Sequence, residues 1–179
     1  MKKNCEFCAL VEKGSDLEVY QDDEVMAVLA SEGTGPGHIK LFTKEHFTIF
    51  EHVPDFEAGN IFTVANKLST AAFEALGKQG TNIIVTNGVA AGQKHAHFLV
   101  NIIPRDEGDG LNFDWAPKQL SEEEMSTVEL KLKEHTEGIG KFVKEKQKKA
   151  IQIGKSKPVK VEKSSKEENY LLRQLNRIP

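Results

Sequence analysis

Residues 92–105 read GQKHAHFLVNIIPR, and this stretch limits the fold most tightly. In an extended strand, side chains two apart share a face. His95, His97, Leu99 and Asn101 are therefore expected on one side of a strand that closes on Ile-Pro-Arg. A row that starts as imidazole and turns apolar halfway belongs to a catalytic site, a metal site or a share of each. The rest of the chain has to decide between them.

The flanking sequence predicts the elements around that strand. LEVYQ (17–21), EVMAVLA (24–30) and HIKLFT (38–43) read as strands, separated by QDD and by the loop GTGPG. Ile61, Val64, Ala65, Leu68, Ala72, Ala75 and Leu76 recur at helical spacing, with Gly77 as the stop. NIIVT (82–86) and the glycine-bearing loop NGVAAG follow. Ser121 and Glu124 form a capping-box pattern, opening a second helix with Met125, Val128, Leu132, Ile139 and Phe142 on one face and Gly138 and Gly140 weakening it. Strands gathered around one long helix, without regular βαβ alternation, predict an α+β fold with a mainly antiparallel sheet and a C-terminal helical extension.

At 179 residues the chain has length for one domain with a core, plus an extension. Its apolar runs fall far short of the ~20 residues that span a bilayer. No sustained apolar stretch follows Lys2 and Lys3, so a cytoplasmic protein without membrane contact is expected. The formal net charge of −3 hides an asymmetry, because residues 141–166 carry ten lysines against only Glu145 and Glu162. That stretch is too poor in large apolar groups to order itself alone. It reads as a solvated linker or as a patch attracting polyanions such as nucleic acid. The tail ENYLLRQLNRIP regains apolar character and is expected to dock on the domain or on a partner subunit. The expected divisions are 1–110, a helical extension over 111–143, the lysine-rich linker 144–166 and the tail 167–179.

The two cysteines, Cys5 and Cys8, are too few for a disulfide scaffold. Their spacing lets both sulfurs reach one zinc ion, and it also suits a redox dithiol. Redox pairs of this type follow a strand, and none is expected before residue 5. Two sulfurs do not close a zinc shell, so two further ligands must come from His38, His46, His52, His95, His97 and His135.

These residues resemble the histidine triad (HIT) family of nucleotide-binding proteins over positions 5 to about 105. Cys5–Val11 is similar to the family's CxFCxIV, and VYQDDEVMAVLA to VYEDDxVLAFLD. PGHIKLFTKEH is similar to PGHxLVxPKxH, TNGVAAGQ to NxGxxAGQ, and the run ending in Pro104-Arg105 to H-φ-H-φ-H-φ-φ-P-R. Gln93 and Pro104 fix one register, in which the three triad positions are His97, Leu99 and Asn101. The resemblance implies a structural zinc held by Cys5, Cys8, His46 and His97. It leaves His38 to support the turn after Gly37, and His52 and His135 at the surface. It also implies a homodimer, and a phosphate site at Gly92 and Gln93, with Lys94 and Asn101 beside them, for a purine nucleotide or another phosphate ligand.

The same resemblance exposes a loss. Family chemistry attacks an α-phosphate with the middle imidazole, and Leu99 has no lone pair with which to do so. The family's ribose-contacting Asp aligns with Ala30, an Asn with Thr86, and a small hydroxyl residue with Lys94. No catalytic residue is therefore assigned. The leading expectation is a zinc-bearing HIT domain that binds a phosphate ligand with its catalysis lost or diverged. The rivals are an active hydrolase or nucleotidyl transferase, reached if a bulge slips His95 onto the metal and His97 into the nucleophile's place, and an interaction module using the lysine-rich segment.

Overall fold

The computed structural model describes residues 4–139. The lysine-rich linker, the C-terminal tail and Phe142 lie outside the described residues. The chain divides into two compact units, the first ending at Ala116 and the second beginning at Pro117. The first holds α1 (Glu6–Lys13), β1 (Glu18–Gln21), β2 (Val25–Leu29), β3 (Ile39–Thr43), α2 (Asp55–Leu76), β4 (Gly80–Val85) and β5 (Leu99–Arg105). The strands form one sheet in the order β1-β2-β3-β5-β4, with every neighbouring pair antiparallel. This is the α+β architecture expected from the sequence.

Alternation within the strands gives the sheet two working faces. Val25, Ala27, Ile39, Leu41, Val100 and Ile102 turn to one side and pack against Ile61, Val64 and Ala65 of α2. Met26, Val28 and Phe42 turn to the other and enclose Phe7 from α1. Each large side chain fully removed from water contributes roughly 1.5–3 kcal/mol. Helices on both sides thus account for the near-continuous burial along β2 and β3. Gly77, in the left-handed conformation at φ 64°, ends α2 as its position suggested. Gly37 sits at φ 84°, where an L side chain is strained, and a Cβ there would also force the Leu76 side chain to move.

One expectation needs correction, and two features were not anticipated. The Cys-x-x-Cys segment is helical, with Cys5 at the N-cap of α1 and Cys8 inside that helix. The strand through the triad positions begins only at Leu99, and His95–His97 form a bend. There the Phe98 N–H leaves the ladder and donates to the Phe47 carbonyl at 2.7 Å. The long helix begins at Asp55, ahead of the first periodic apolar residue.

The second unit contributes α3 (Glu122–Thr136), opened by the expected capping box between Ser121 and Glu124. It stops short of Ile139, just before Gly138, whose backbone freedom disfavours continuing a helix. Among the described residues, no helix is long and apolar enough to cross a membrane.

Candidate functional site

Residues i and i+3 lie on one side of a helix, and Cys5 and Cys8 at the start of α1 present their sulfurs together. His46 follows β3 and His97 precedes β5, and the pairing of those two strands brings both rings to the thiols. Nδ1 of His97 lies 3.3 Å from Cys5 Sγ and 3.8 Å from Cys8 Sγ, while Nδ1 of His46 lies 3.2 Å from Cys8 Sγ. The four ligand atoms all fall within 4.8 Å of one another.

This donor set fits zinc. Arms of about 2.1–2.3 Å to nitrogen and sulfur set tetrahedral edges of about 3.4–3.8 Å, close to the separations found. Nε2–H of His97 donates to the Thr43 carbonyl at 2.9 Å, which leaves the Nδ1 lone pair directed at the thiols. Burial pushes the His97 imidazole down to about 4, so the ring is neutral at neutral pH as a ligand must be. Neither cysteine is in a disulfide.

His95 stands outside this group. Its Nδ1 meets Glu6 Oε1 at 2.9 Å, and its ring sits edge-on to Phe7 with centroids 5.2 Å apart. The ladder between β3 and β5 runs Phe42–Leu99, Leu41–Val100, Lys40–Asn101 and Ile39–Ile102 without a shift. Among the described residues, no bulge in that ladder moves His97 toward the position of Leu99. His52 and His135 are exposed, as expected.

His38 does more than support a turn. It is buried, and its Nδ1 accepts from the Thr34 backbone N–H at 3.1 Å. With Nδ1 an acceptor, Nε2 carries the proton and donates to Asn101 Oδ1 at 3.0 Å. Burial lowers the His38 pKa, with the nearby Lys40 charge adding to the effect and the Asn101 bond opposing it. His38 thereby fixes which way the Asn101 amide faces.

Leu99 and Asn101 open onto a cleft of about 700 Å³, flanked by Gly92, Gln93 and Lys94. Leu99 is half-buried and packs against the Phe7–Met26–Val28–Phe42 cluster. Gln93 reaches the cleft wall, but its amide is committed to the loop. Nε2 donates to the carbonyls of Thr48 (2.6 Å) and His95 (2.8 Å), and Oε1 accepts from the Gly88 N–H at 2.7 Å. Gly92 and Lys94 are exposed. Thr86 lines this cleft, whereas Ala30 lines a separate cavity of about 400 Å³ beside α1. Trp115 is 84% exposed.

Lys40 escaped the sequence reading. It is half-buried on the cleft face of β3, beside Asn101. The available signal was a lone cation between apolar neighbours in HIKLFT.

Comparison with known proteins agrees with this architecture. The family model for the HIT domain matches residues 13–108, more than half of the chain. An uncharacterized HIT-like protein of Methanocaldococcus jannaschii is 36% identical over 107 residues, covering 59% of this chain and 82% of its own length. Adenylylsulfatase HINT3 of Arabidopsis thaliana is 31% identical over 121 residues, covering 67% of this chain, and the match spans only 60% of that relative's length. Among solved structures, a Zn-bound histidine triad family protein from Mycobacterium smegmatis superposes with a TM-score of 0.58 at 26% identity, covering 75% of this chain and 98% of that one.

Proposed function

Because this chain belongs to the HIT domain family, we propose that it is a zinc-stapled member that binds a phosphate-bearing ligand, a nucleotide in the first instance, without the covalent chemistry of active relatives. The observation carrying this reading is Leu99. It falls at the middle triad position of the family alignment, in an unshifted ladder, two residues after His97, whose imidazole is turned toward the cysteines. A hydrocarbon there fills space and offers no electron pair to phosphorus. Asn101, the third position, is a weakly nucleophilic amide already held by His38.

Cys5, Cys8, His46 and His97 would hold the zinc. Four protein ligands complete a tetrahedron, so the ion would tie α1 to the strand ends without offering an open position to substrate. The ligand would lie in the cleft over Leu99 and Asn101, flanked by Gly92, Gln93 and Lys94. The adenylylsulfatase name of the Arabidopsis relative makes an adenylylated acid a reasonable first probe. The resemblance also carries a homodimer with it, which sedimentation would test. The lysine-rich segment adds a separate polyanion-binding reading, marked by steep salt dependence.

The decisive test combines metal analysis with turnover assays on nucleoside phosphoramidates, dinucleoside polyphosphates, nucleotide sugars and adenylyl sulfate. The expected outcome is one zinc per chain, measurable AMP binding and no turnover. Robust turnover, or an intact-mass adduct of a nucleotidylated histidine, would overturn the reading and favour an active enzyme.

A further inference from the structure

We propose that Lys40 and Asn101 form a donor-only seat in which the cleft holds a tetrahedral oxyanion without a covalent bond. The inference rests on the reading of this cleft as a phosphate-ligand site and moves the anion's seat from the loop Gly92–Lys94 to the strand floor.

The two residues are direct partners across β3 and β5. Residues so paired carry their Cβ atoms about 4.5–5.5 Å apart on one face of the sheet, and both line the cleft. Their chemistry is complementary to oxygen acceptors alone. Asn101 Oδ1 is occupied by the His38 Nε2–H, so the free arm of the amide is its NH2 group. That orientation is relayed from the Thr34 N–H through the His38 ring.

Lys40 supplies charge. Its stem is half-buried, and among the described residues no carboxylate lies within ion-pairing distance of it. Its Nζ lies 6.0 Å from the centre of the Phe7 ring. An ammonium on the cleft wall with no protein counter-ion is available to attract an anion into the cleft. Two carboxylates also line the cleft, but Glu6 is engaged by His95 and Glu32 sits exposed at the rim.

Of the alternative seat, the glutamine is chemically spent, which leaves the exposed Lys94 as the loop's side-chain donor. The Gln93 side chain has its donors and its oxygen on backbone groups of Thr48, His95 and Gly88. Leu99, on the same face as Asn101 and two residues before it, offers no lone pair with which to attack phosphorus, so no covalent bond forms there. The seat therefore suits the terminal phosphate of a monoester, bound reversibly.

The test uses the full-length, zinc-loaded protein and calorimetric titration with inorganic phosphate, AMP and adenosine. Wild type should bind AMP more tightly than adenosine, with phosphate competing for AMP. Lys40→Met should weaken AMP by about ten- to a hundredfold while leaving adenosine binding unchanged. Lys40→Arg should restore most of the affinity. Lys67→Met, at an exposed position of α2, is the charge-matched control and should change nothing. Should Lys40→Met fail to fold, Lys40→Gln takes its place. AMP binding that survives loss of the ammonium, in Lys40→Met or in the Lys40→Gln that replaces it, overturns the seat and leaves the ligand reading standing. Adenosine bound as tightly as AMP also overturns the seat. Failure of wild type to bind any of the three probes instead removes the ligand reading, and the seat with it.

Discussion

The His97 ring donates from Nε2 to the Thr43 carbonyl at 2.9 Å, and this one bond decides that Nδ1 faces the cysteines. A strand end thereby sets the tautomer of a candidate metal ligand. The orienting partner is backbone, so no substitution at Thr43 removes it directly.

Metal and fold are expected to fail together. Cys8→Ser and His97→Asn should each lose zinc and melt well below wild type, by several kcal/mol, because metal affinity and folding are linked. Chelator added to wild type should move its melt in the same direction. Zinc quantification alongside thermal melts checks this. A His97→Asn protein that keeps zinc and stability would mean that His95 had taken over as ligand.

Leu99 should behave as packing. Leu99→Ala should cost about 1–2 kcal/mol, less than a fully buried leucine because the side chain is only half covered. Zinc content should be unchanged, since Leu99 touches none of the four ligands' roles. Urea unfolding with metal analysis reads both quantities.

Stability should decline as solutions are acidified below about pH 6.5, the ordinary histidine value. Burial depresses both His38 and His97 in the folded chain, His97 to about 4. The unfolded chain then binds more protons than the folded one between that ordinary value and the folded one, so unfolding gains as pH falls. His38→Gln should flatten part of this slope while costing about 1–3 kcal/mol at neutral pH through disturbed bonds to Thr34 and Asn101. Melting curves between pH 7.5 and 5 for the two proteins provide the comparison.

Gln93 should prove to be a loop staple. Gln93→Ala removes partners from the Gly88 N–H and from the carbonyls of Thr48 and His95. Faster amide exchange at Gly88 is the expected signature, with zinc retained. Unaltered exchange there would show that the loop holds itself without the amide.

Local patterns made much of this molecule readable in advance. The short apolar runs in EVMAVLA and HIKLFT, bounded by turn residues, marked β2 and β3, and the 61–76 periodicity marked α2 with its glycine stop. Ser121 and Glu124 announced the start of α3, because a capping box is closed within four residues. The helix around Cys8 was missed, since eight residues are too few for periodicity to separate a helix from a turn. The late start of β5 was missed for a different reason. The bend at His95–His97 depends on Phe98 bonding to Phe47, far away in the chain.

By itself, then, the sequence determined the elements, the thiol pair, the family resemblance and the absence of an imidazole at Leu99, all of which depend on residue identity and short spacing. The tertiary structure brings to the sulfurs the two histidines, His46 and His97, that the family resemblance implied, and it alone decided that Gln93 is spent on backbone groups and that Lys40 stands beside an amide oriented by His38. Those relationships are set by strand register and by hydrogen bonds between distant segments. A one-residue change of register would turn Lys40 to the opposite face of the sheet, and no local pattern encodes which partner it would then meet.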